Sequence, residues 1–548
     1  MSCSKLFSGD LPELINEIIQ YFHYDYKTLH SCILINRLWC RLAIPLLWED
    51  PFSLKLPKNY HFIEIYLHKL VNDDYKIKLD EYLTQNDILP SNTLFNYPSF
   101  IQRLDAYEII NSINEWSRTI KTSKTKVQRS GYFMRNKLLS SQIINFTKLI
   151  YKSLFIIFIE NEVNLYSFEV MLFNNTRFEY FDEILELILQ NPNFICNIKN
   201  FEINFYEVTE NTRRFSKFLY SNCNSISSLY LQYSFYHFQV TENCSSLSQI
   251  IRSQINLRKL LLGCQFPLHQ SLSFLIKNPN CSNTLNTIIF YYVDFKNILI
   301  LSEVFNHLNV LESIHIIYCC SLDSRFIQQI NNITKPFKLK SLFLNVILQT
   351  EELLIQKSCD YLENFGIISS EPQQLLQLII KYCSKIKFLG PISMNNKSSY
   401  LLFNLVENIT QNLDYLFIET SITDISSIIL KNLGQILPHK LEYLHLSLTI
   451  NRIDFEIFLK NFQNTFVKKL LIRNRKRGKN GDIFPFIKEY IMKKKRVKYF
   501  AFSEIIYSRI DDLFFLKNKV KEFELYDIQV LCYKDLSIDI YDFLKEVD

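Results

Sequence analysis

The chain has 548 residues, of which 48% are hydrophobic and 21% charged, and its formal net charge is +6. This length exceeds what one ordinary core supports, so we expect several domains or an elongated array of repeats. The balance of apolar and charged residues excludes a mainly disordered chain. Glycine occurs only eight times, and such a chain offers few phosphate-cradling loops, which argues against dinucleotide- and P-loop-binding enzymes.

The thirteen cysteines include no C-x-x-C pair, and the first twenty residues lack the apolar core of a signal peptide. Dispersed cysteines in such a chain are typical of reduced, buried thiols, so we expect a cytoplasmic and/or nuclear location. The longest apolar run, Leu154 to Ile159, is far shorter than the ~20 residues that cross a bilayer. We therefore expect no membrane association.

Three short helices are predicted within residues 1–50. The first follows Asp10, a favourable N-cap, and carries Pro12 in its first turn, where a missing N–H costs nothing. The second lies near 27–35, and the third begins near Asn36 and ends at Pro45. Three such helices enclose a very small core, and a unit of this size usually needs a partner to complete its burial.

The order of residues in this segment resembles the F-box of eukaryotic ubiquitin-ligase substrate receptors. That family has a Leu-Pro opening, an apolar first helix and an Arg-x-Trp in the third helix, which correspond here to Leu11-Pro12 and to Arg37 and Trp39. The resemblance implies docking to a Skp-family adaptor and its cullin scaffold. The adaptor-binding residues it implies are Leu11, Pro12, Leu14, Ile15, Ile18, Leu29, Cys32, Ile35, Trp39 and Leu42. The alternative is that these residues only form the core of a local helical cap.

Residues 51–145 are predicted to be a helical connecting region, with helix-like stretches at 59–71 and 101–117. Within it, residues 117–130 hold five basic residues, no acidic residue and no apolar period, which indicates a solvated basic loop. Phosphate binding by this loop is the alternative.

A repeat is predicted over residues 146–548. Its pattern is apolar-x-x-apolar-x-apolar, and thirteen copies begin between residues 198 and 520, at a mean spacing of about 27 residues, which is typical of leucine-rich repeats. The copies begin at Ile198, Ile226, Leu257, Leu285, Leu311, Leu339, Leu362, Ile386, Leu413, Leu441, Val467, Val497 and Val520, and an earlier candidate is Tyr151/Leu154/Ile156.

Helix-like sequence follows several copies, and Asp424 and Asp454 are candidate N-caps there. A strand and a helix in each repeat predict an α/β fold, a curved solenoid with a parallel inner sheet and outer helices. The pattern resembles the divergent leucine-rich repeats that follow F-boxes in many receptors, although the Asn/Cys ladder position of that family is met only by Cys319.

Side chains between the buried positions are expected on the inner face of the sheet. Aromatic and His residues there are suited to anchor a protein partner. The predicted partner-binding residues are Tyr230, Tyr291, His315, Phe343, Phe417 and His445. The alternative is that loops or the C-terminal tail cover them.

Residues 467–500 contain thirteen basic and two acidic residues, a net charge of +11. Within this segment Lys493, Lys494, Lys495 and Arg496 are a candidate nuclear-import signal. The alternative is a solvated loop and helix end between two repeats. Few aromatic residues are interleaved with these charges, so the segment does not favour single-stranded nucleic acid as a partner.

Catalytic and cofactor-binding motifs are absent from the sequence, including H-E-x-x-H, G-x-S-x-G and the P-loop. We therefore expect no enzymatic activity, no metal site and no cofactor. The predicted function is that of a substrate-recognition adaptor, which docks a cullin ubiquitin ligase through its N-terminus and binds a target protein on the solenoid. The alternatives are an interaction scaffold outside ligases and a nuclear or nucleic-acid-associated factor that uses residues 467–500.

Overall fold

A computed structural model describes residues 12–547 apart from residues 24, 55–59, 71–76, 78–92, 123–133, 173–174, 206, 234–244, 265, 346–350, 370, 396, 476–482 and 507–508. The chain divides into two compact units. Unit 1 comprises Met1–Leu260 with Lys277–Thr284, and unit 2 comprises Leu261–Ile276 with Leu285–Asp548.

Helices and strands alternate along most of the chain. The helices are α1 (Pro12–Tyr21), α2 (Tyr26–Cys32), α3 (Arg37–Leu47), α4 (Phe62–Leu67), α5 (Ala106–Thr122), α6 (Met134–Glu160), α7 (Asn175–Gln190), α8 (Glu210–Asn222), α9 (Ser245–Ser253), α10 (Leu268–Lys277), α11 (Cys281–Thr284), α12 (Leu301–His307), α13 (Ser324–Asn331), α14 (Glu351–Ser358), α15 (Gln373–Tyr382), α16 (Ser399–Ile409), α17 (Thr423–Ile436), α18 (Arg452–Asn461), α19 (Phe484–Phe486), α20 (Lys517–Glu524), α21 (Tyr533–Leu536) and α22 (Ile540–Val547).

The strands are β1 (Arg103–Asp105), β2 (Ser167–Leu172), β3 (Asn200–Phe205), β4 (Ser228–Tyr233), β5 (Lys259–Gly263), β6 (Thr287–Tyr291), β7 (Ser313–Ile317), β8 (Leu339–Leu344), β9 (Asn364–Ile367), β10 (Phe388–Ser393), β11 (Tyr415–Glu419), β12 (Lys440–Leu448), β13 (Phe466–Arg475), β14 (Val497–Ile506), β15 (Arg509–Asp512) and β16 (Gln529–Val530). Across the described residues they form a sixteen-stranded sheet in chain order from β1 to β15, with β16 beside β14.

The sheet is mostly parallel. The pairs from β1 to β4 and from β6 to β14 are parallel, and β15 runs antiparallel to β14. A long parallel sheet with helices confirms the predicted mixed α/β class. The antiparallel β15 was not predicted.

The register of the strands explains the sequence pattern. Leu416 lies opposite Leu444, and Leu444 lies opposite Leu470; in unit 1, Phe168 lies opposite Phe201. All five side chains are fully buried. Each repeat therefore buries its apolar residues against the next repeat, because a single strand has no other neighbour in the sheet plane.

The helices between the strands form a layer of their own. The consecutive helices α15, α16, α17 and α18 contact one another in sequence order. Helix α17 buries Ile425, Ile429 and Leu433 along one face, as expected for an amphipathic helix that packs on a sheet. The predicted N-caps are wrong by two and three residues. The N-cap of α17 is Ile422. Helix α18 is capped by Asn451, whose side chain accepts the N–H of Asp454 at 2.9 Å.

Helices α1 to α3 form the predicted N-terminal helical unit, here called the head (residues 12–48). The Asn36 side chain caps α3 by accepting the N–H of Trp39 at 3.0 Å. The head has a core of its own, consisting of Ile15, Ile19, Leu29, Cys32, Trp39, Ala43 and Leu46. The sequence therefore folds locally as expected, around a small set of apolar side chains.

Glu49 joins the head to the first strand of the sheet. Its carboxylate accepts hydrogen bonds from Arg103 Nε at 2.8 Å and contacts His23 Nε2 at 2.7 Å. Its backbone oxygen accepts the N–H groups of Gln102 and Arg103. These contacts hold the head beside β1. Such a link between residues far apart in the chain follows from no local pattern of residues.

Two parts of the predicted organisation require correction. The basic loop placed at 117–130 begins as helix, because α5 continues to Thr122, and most of the remainder lies outside the described residues. The repeat copy at Tyr151/Leu154/Ile156 lies within helix α6. In the copy at Val520/Phe523/Leu525, the first two residues lie in α20 and Leu525 is its C-cap. The twelve copies that begin between Ile198 and Val497 correspond to strands β3 to β14.

Two strands were missed although the sequence carries their signal. Strand β1 contains Leu104, and β2 contains Phe168 and Val170. The triplets Ile101/Leu104/Ala106 and Leu165/Phe168/Val170 have the same spacing as the other copies, and all six side chains are buried. The repeat therefore begins earlier than the pattern count placed it.

Gly390 lies where the backbone of β10 passes close to that of β11. Its φ is +127°, and a Cβ at this position would overlap with the carbonyl oxygen of Phe417. The register of β10 shifts between Leu389 and Ile392, which is the kind of irregularity that glycine permits.

We expect Gly390→Ala to lower the stability of unit 2 by about 2–5 kcal/mol, because strain at positive φ and overlap with a neighbouring strand both oppose folding. Thermal unfolding of the purified chain measures this. Ser393→Ala, at the partly exposed end of the same strand, is the matched control and should change stability by no more than about 0.5 kcal/mol. A Gly390→Ala chain as stable as the control would contradict the prediction.

Candidate protein-interaction surfaces

The head exposes apolar side chains in addition to those in its core. Leu14 is 40% exposed, Ile35 is 45% exposed, and Leu34 is 76% exposed. Pro12 at the start of α1 is exposed as well. Exposed apolar groups beside a very small core are a feature of surfaces that bind another protein.

The predicted adaptor-binding residues divide into two groups. Pro12, Leu14 and Ile35 are exposed, and Ile18 and Leu42 are half-buried. The remaining described residues lie in the core of the head; they are Ile15, Leu29, Cys32 and Trp39. Leu11 lies outside the described residues. In the chain by itself, the second group holds the head together and the first group is available to a partner.

The predicted partner-binding residues lie on the sheet, at positions that alternate with the apolar core positions. Phe417 lies opposite His445, and Ile289 lies opposite His315, so these side chains project from the same side of their strands. Within the folded chain they are largely inaccessible: Tyr230, His315, Phe343 and His445 are buried, and Tyr291 and Phe417 are half-buried. In unit 2 we call this side the aromatic face, and its aligned residues include Tyr291, His315, Phe343, Phe388, Tyr415, Phe417, Tyr443, His445, Leu471, Arg473 and Ala501.

The C-terminal end of the chain lies on the aromatic face. Tyr533 and Leu536 of α21 are buried in one cluster with Tyr443, Leu471 and Ala501. The Tyr533 hydroxyl is hydrogen-bonded to Nε2 of His445. Cover by the C-terminal tail was the alternative left open from the sequence, and the structure shows it for this part of the face.

Helix α22 continues across the same face. The Tyr541 ring lies 4.9 Å from the Tyr291 ring, and the Phe543 ring lies 4.7 Å from Phe388 and 5.3 Å from Tyr415. Burial and the nearby Asp539 carboxylate both raise the pKa of Tyr291, so its phenol remains protonated. The position of the tail on this face could not be predicted from the repeat pattern, because its aromatic residues do not follow the 27-residue spacing.

His445 is the centre of a buried polar group on this face. Its ring stacks on Phe417 with a centroid distance of 4.0 Å, and its Nδ1 lies 3.3 Å from the Tyr443 hydroxyl. Burial, together with the nearby Arg473 guanidinium, lowers the pKa of His445 to about 3. Burial raises the pKa of Tyr533. A neutral imidazole between two protonated phenols satisfies its donor and its acceptor nitrogen.

The basic segment is partly engaged in contacts within unit 2. Arg473 lies 4.0 Å above the Tyr533 ring, and Arg475 bonds Ser447 at 3.0 Å. In the candidate import signal, Lys493, Lys494 and Lys495 are exposed and Arg496 is half-buried. Lys493 pairs with Glu489, and Lys495 pairs with Asp527 at 3.0 Å. The positive charge of the described part is therefore partly neutralised.

Three carboxylates that the sequence did not single out lie side by side in unit 1. Asp105 is opposite Glu169, which is opposite Glu202. Burial raises the pKa of Asp105 to about 7, and the nearby Glu108 and Glu202 carboxylates act in the same direction. Gln232 donates a hydrogen bond to Glu202 at 3.3 Å. In the described parts of the chain, no group of three or more His, Cys, Asp and Glu side chains is arranged to hold a metal ion.

The described cysteines form no disulfide bond with one another, and several are deeply buried. Burial raises the pKa of Cys223, Cys281 and Cys383 to about 12, so these thiols are protonated at neutral pH and behave as small apolar groups. Among the helices that the structure describes, none has the length and hydropathy needed to cross a membrane.

We expect acidification to weaken unit 2 through His445. The pKa of His445 is lowered in the folded state, so on acidification the unfolded chain binds a proton at a higher pH than the folded chain does. The free energy of unfolding is therefore fully retained above pH ~6.5 and decreases as the pH falls towards 3. The loss approaches about 1.4 kcal/mol per pH unit. Thermal unfolding between pH 7 and 4 should show a smaller loss for His445→Gln than for the wild type.

His439→Gln is the matched control, because His439 is exposed. This variant should follow the wild-type pH dependence. If His445→Gln and the wild type lose stability in parallel, protonation of His445 does not destabilise the fold.

In comparisons with known proteins, no family model and no curated protein matches the chain. The head and the aromatic face are therefore the two features of the molecule from which a function is inferred.

Proposed function

We propose that this chain is an F-box-type substrate receptor: its head docks a Skp-family adaptor of a cullin ubiquitin ligase, and its repeat sheet holds a target protein. The observation that carries the proposal is the head itself. A three-helix unit forms at residues 12–48, with Leu14 and Ile35 exposed although they are apolar. The same residues are among those that the F-box resemblance assigns to the adaptor interface.

The separation of core and surface in the head supports this reading. Ile15, Leu29, Cys32 and Trp39 build the fold, and Pro12 and Leu14 precede or flank them on the exposed side of α1. A partner that covers the exposed group would complete the burial that such a small unit lacks.

The resemblance of the sheet to divergent leucine-rich repeats supports the second half of the proposal. A strand followed by a helix recurs through most of unit 2, and the apolar residues of adjacent strands lie in register. At the ladder position, the thiol of Cys319 donates a hydrogen bond to the backbone oxygen of Phe290 at 3.4 Å. Arrays of this kind present long surfaces that bind proteins.

A second candidate function is an interaction scaffold outside ubiquitin ligases. The contacts of Glu49 with Arg103, Gln102 and His23 favour it, because they link the head to the first strand of the sheet. In that case the head would stabilise the array and bind no adaptor.

Binding to a purified Skp-family adaptor tests the proposal and separates the two candidates. We expect the wild-type chain to bind, and Leu14→Asp/Ile35→Asp to weaken binding at least about 100-fold, since truncating central apolar anchors of an interface costs about 2 kcal/mol or more each and a buried charge costs more. Both side chains are exposed, so thermal unfolding should be unchanged.

Gln20→Asp is the matched control, because Gln20 is exposed on the same helix, and it should retain most of the affinity. A wild-type chain that never binds such an adaptor would remove the ligase proposal and leave the scaffold.

A further inference from the structure

The segment 531–547, here called the C-terminal strap, reaches the aromatic face from the far edge of unit 2. It follows β16, which pairs with β14 at Phe500. The N–H of Leu531 then donates to the backbone oxygen of Phe500 at 3.0 Å, and the N–H of Tyr533 donates to Asp512 Oδ2 at 2.8 Å. These bonds hold the beginning of the strap at the last strands of the sheet.

Beyond this point the strap is attached mainly by side chains. Tyr533 bonds His445 and lies beneath the guanidinium of Arg473. The N–H of Ile538 donates to the Tyr443 hydroxyl at 3.2 Å. Each of these partners belongs to the sheet, so the strap uses the face as a protein ligand would, by inserting aromatic rings and a few hydrogen bonds.

The two rings of α22 contact widely separated strands. Tyr541 meets Tyr291 of β6, and Phe543 meets Phe388 of β10 and Tyr415 of β11. Side chains two positions apart on a helix point about 160° away from each other, on nearly opposite sides of the helix. The strap therefore lies between Tyr291 on one side and Phe388 and Tyr415 on the other.

The strap contrasts in charge with part of the surface it covers. Between residues 531 and 547 it contains four carboxylates and two lysines, whereas the face contributes Arg473 directly beside Tyr533. Its two helices span four and eight residues, and helices this short are not stable by themselves in water. Their order therefore depends on contact with the sheet.

We propose that the C-terminal strap is an intramolecular occupant of the aromatic face, and that a protein partner binds there by displacing it with an acidic segment that presents aromatic side chains. The occupancy does not depend on the function proposed above. The displacement rests on one part of that proposed function, namely that the sheet binds a partner protein.

A labelled synthetic peptide with the sequence of residues 531–547 provides the test. In fluorescence anisotropy the full-length wild-type chain should bind it weakly or not at all, because its own strap occupies the face. The full-length variant Tyr541→Ala/Phe543→Ala should bind the peptide at least ten-fold more tightly. Lys534→Ala, an exposed position on α21, is the matched control and should behave as the wild type.

The peptide itself carries a second control. The full-length variant Tyr541→Ala/Phe543→Ala is here called the loosened chain. It should bind a peptide that carries Phe543→Ala more weakly than it binds the native peptide. Equal binding of the native peptide to the wild-type and loosened chains would overturn the proposal, as would its failure to bind a loosened chain that keeps the wild-type Tm.

Amide hydrogen exchange on the wild-type chain tests the same proposal without a variant, and it therefore applies even if the loosened chain does not fold. We expect amides of the strap to exchange faster than those of β12 and β13, through an opening that leaves the sheet intact. Exchange of the strap only together with those strands would show that it is a permanent part of the core and would overturn the proposal. No adaptor or target is present in these measurements, so their outcome is independent of adaptor binding.

Discussion

The structure depends on one constraint, the in-register stacking of apolar side chains between parallel strands. Leu444 is covered on one side by Leu416 and on the other by Leu470, so no strand can bury its core without both neighbours. Such an array has two ends at which a strand lacks a neighbour, and each end needs cover. In unit 1, Glu49 connects the head to β1 by side-chain and backbone bonds. In unit 2, β15 turns back antiparallel on β14 and β16 pairs beside it.

Most of the sheet could be predicted because this constraint determines the spacing of the apolar residues within each repeat. The second and third apolar positions of each copy, such as Leu444 and Leu446, project from the same side of a strand and must both be buried. The first position precedes the strand or lies at its start, and in most copies it is also buried, as Ile198 and Leu441 are. Strand positions from β3 to β14 follow from this pattern alone. The three helices of the head could be predicted for a similar reason, since apolar residues at steps of three and four define one helical face.

The errors have physical causes of the same kind. Helix α6 is buried over more than half of its circumference, because Ser153 and Ile157 are inaccessible as well as Tyr151, Leu154 and Phe155. Buried residues at the spacing of the repeat therefore occur in this helix too. The strands β1 and β2 carry apolar triplets of the correct spacing, but they lie before residue 198, where the first of the thirteen predicted copies begins. Contacts between residues far apart in sequence, such as Glu49 with Arg103 or Tyr533 with His445, leave no periodic trace and could not be predicted.

The aromatic face shows how the same stacking creates a second requirement. Strand alternation that buries one side of the sheet brings Phe417, His445 and Leu471 into register on the other. The aromatic part of such a surface is costly in water, about 25 cal/mol for each Å² left uncovered, so cover by the chain or by a partner stabilises it. The strap meets this requirement with few backbone bonds, and helices as short as its own form only where the face supports them. A face covered in this way is protected while the chain is alone and remains available to a competitor of matching chemistry, whereas Leu14 and Ile35 of the head are exposed from the outset. The two surfaces therefore differ in how they can be used: the head can bind without rearrangement, and the aromatic face only by exchange of one occupant for another.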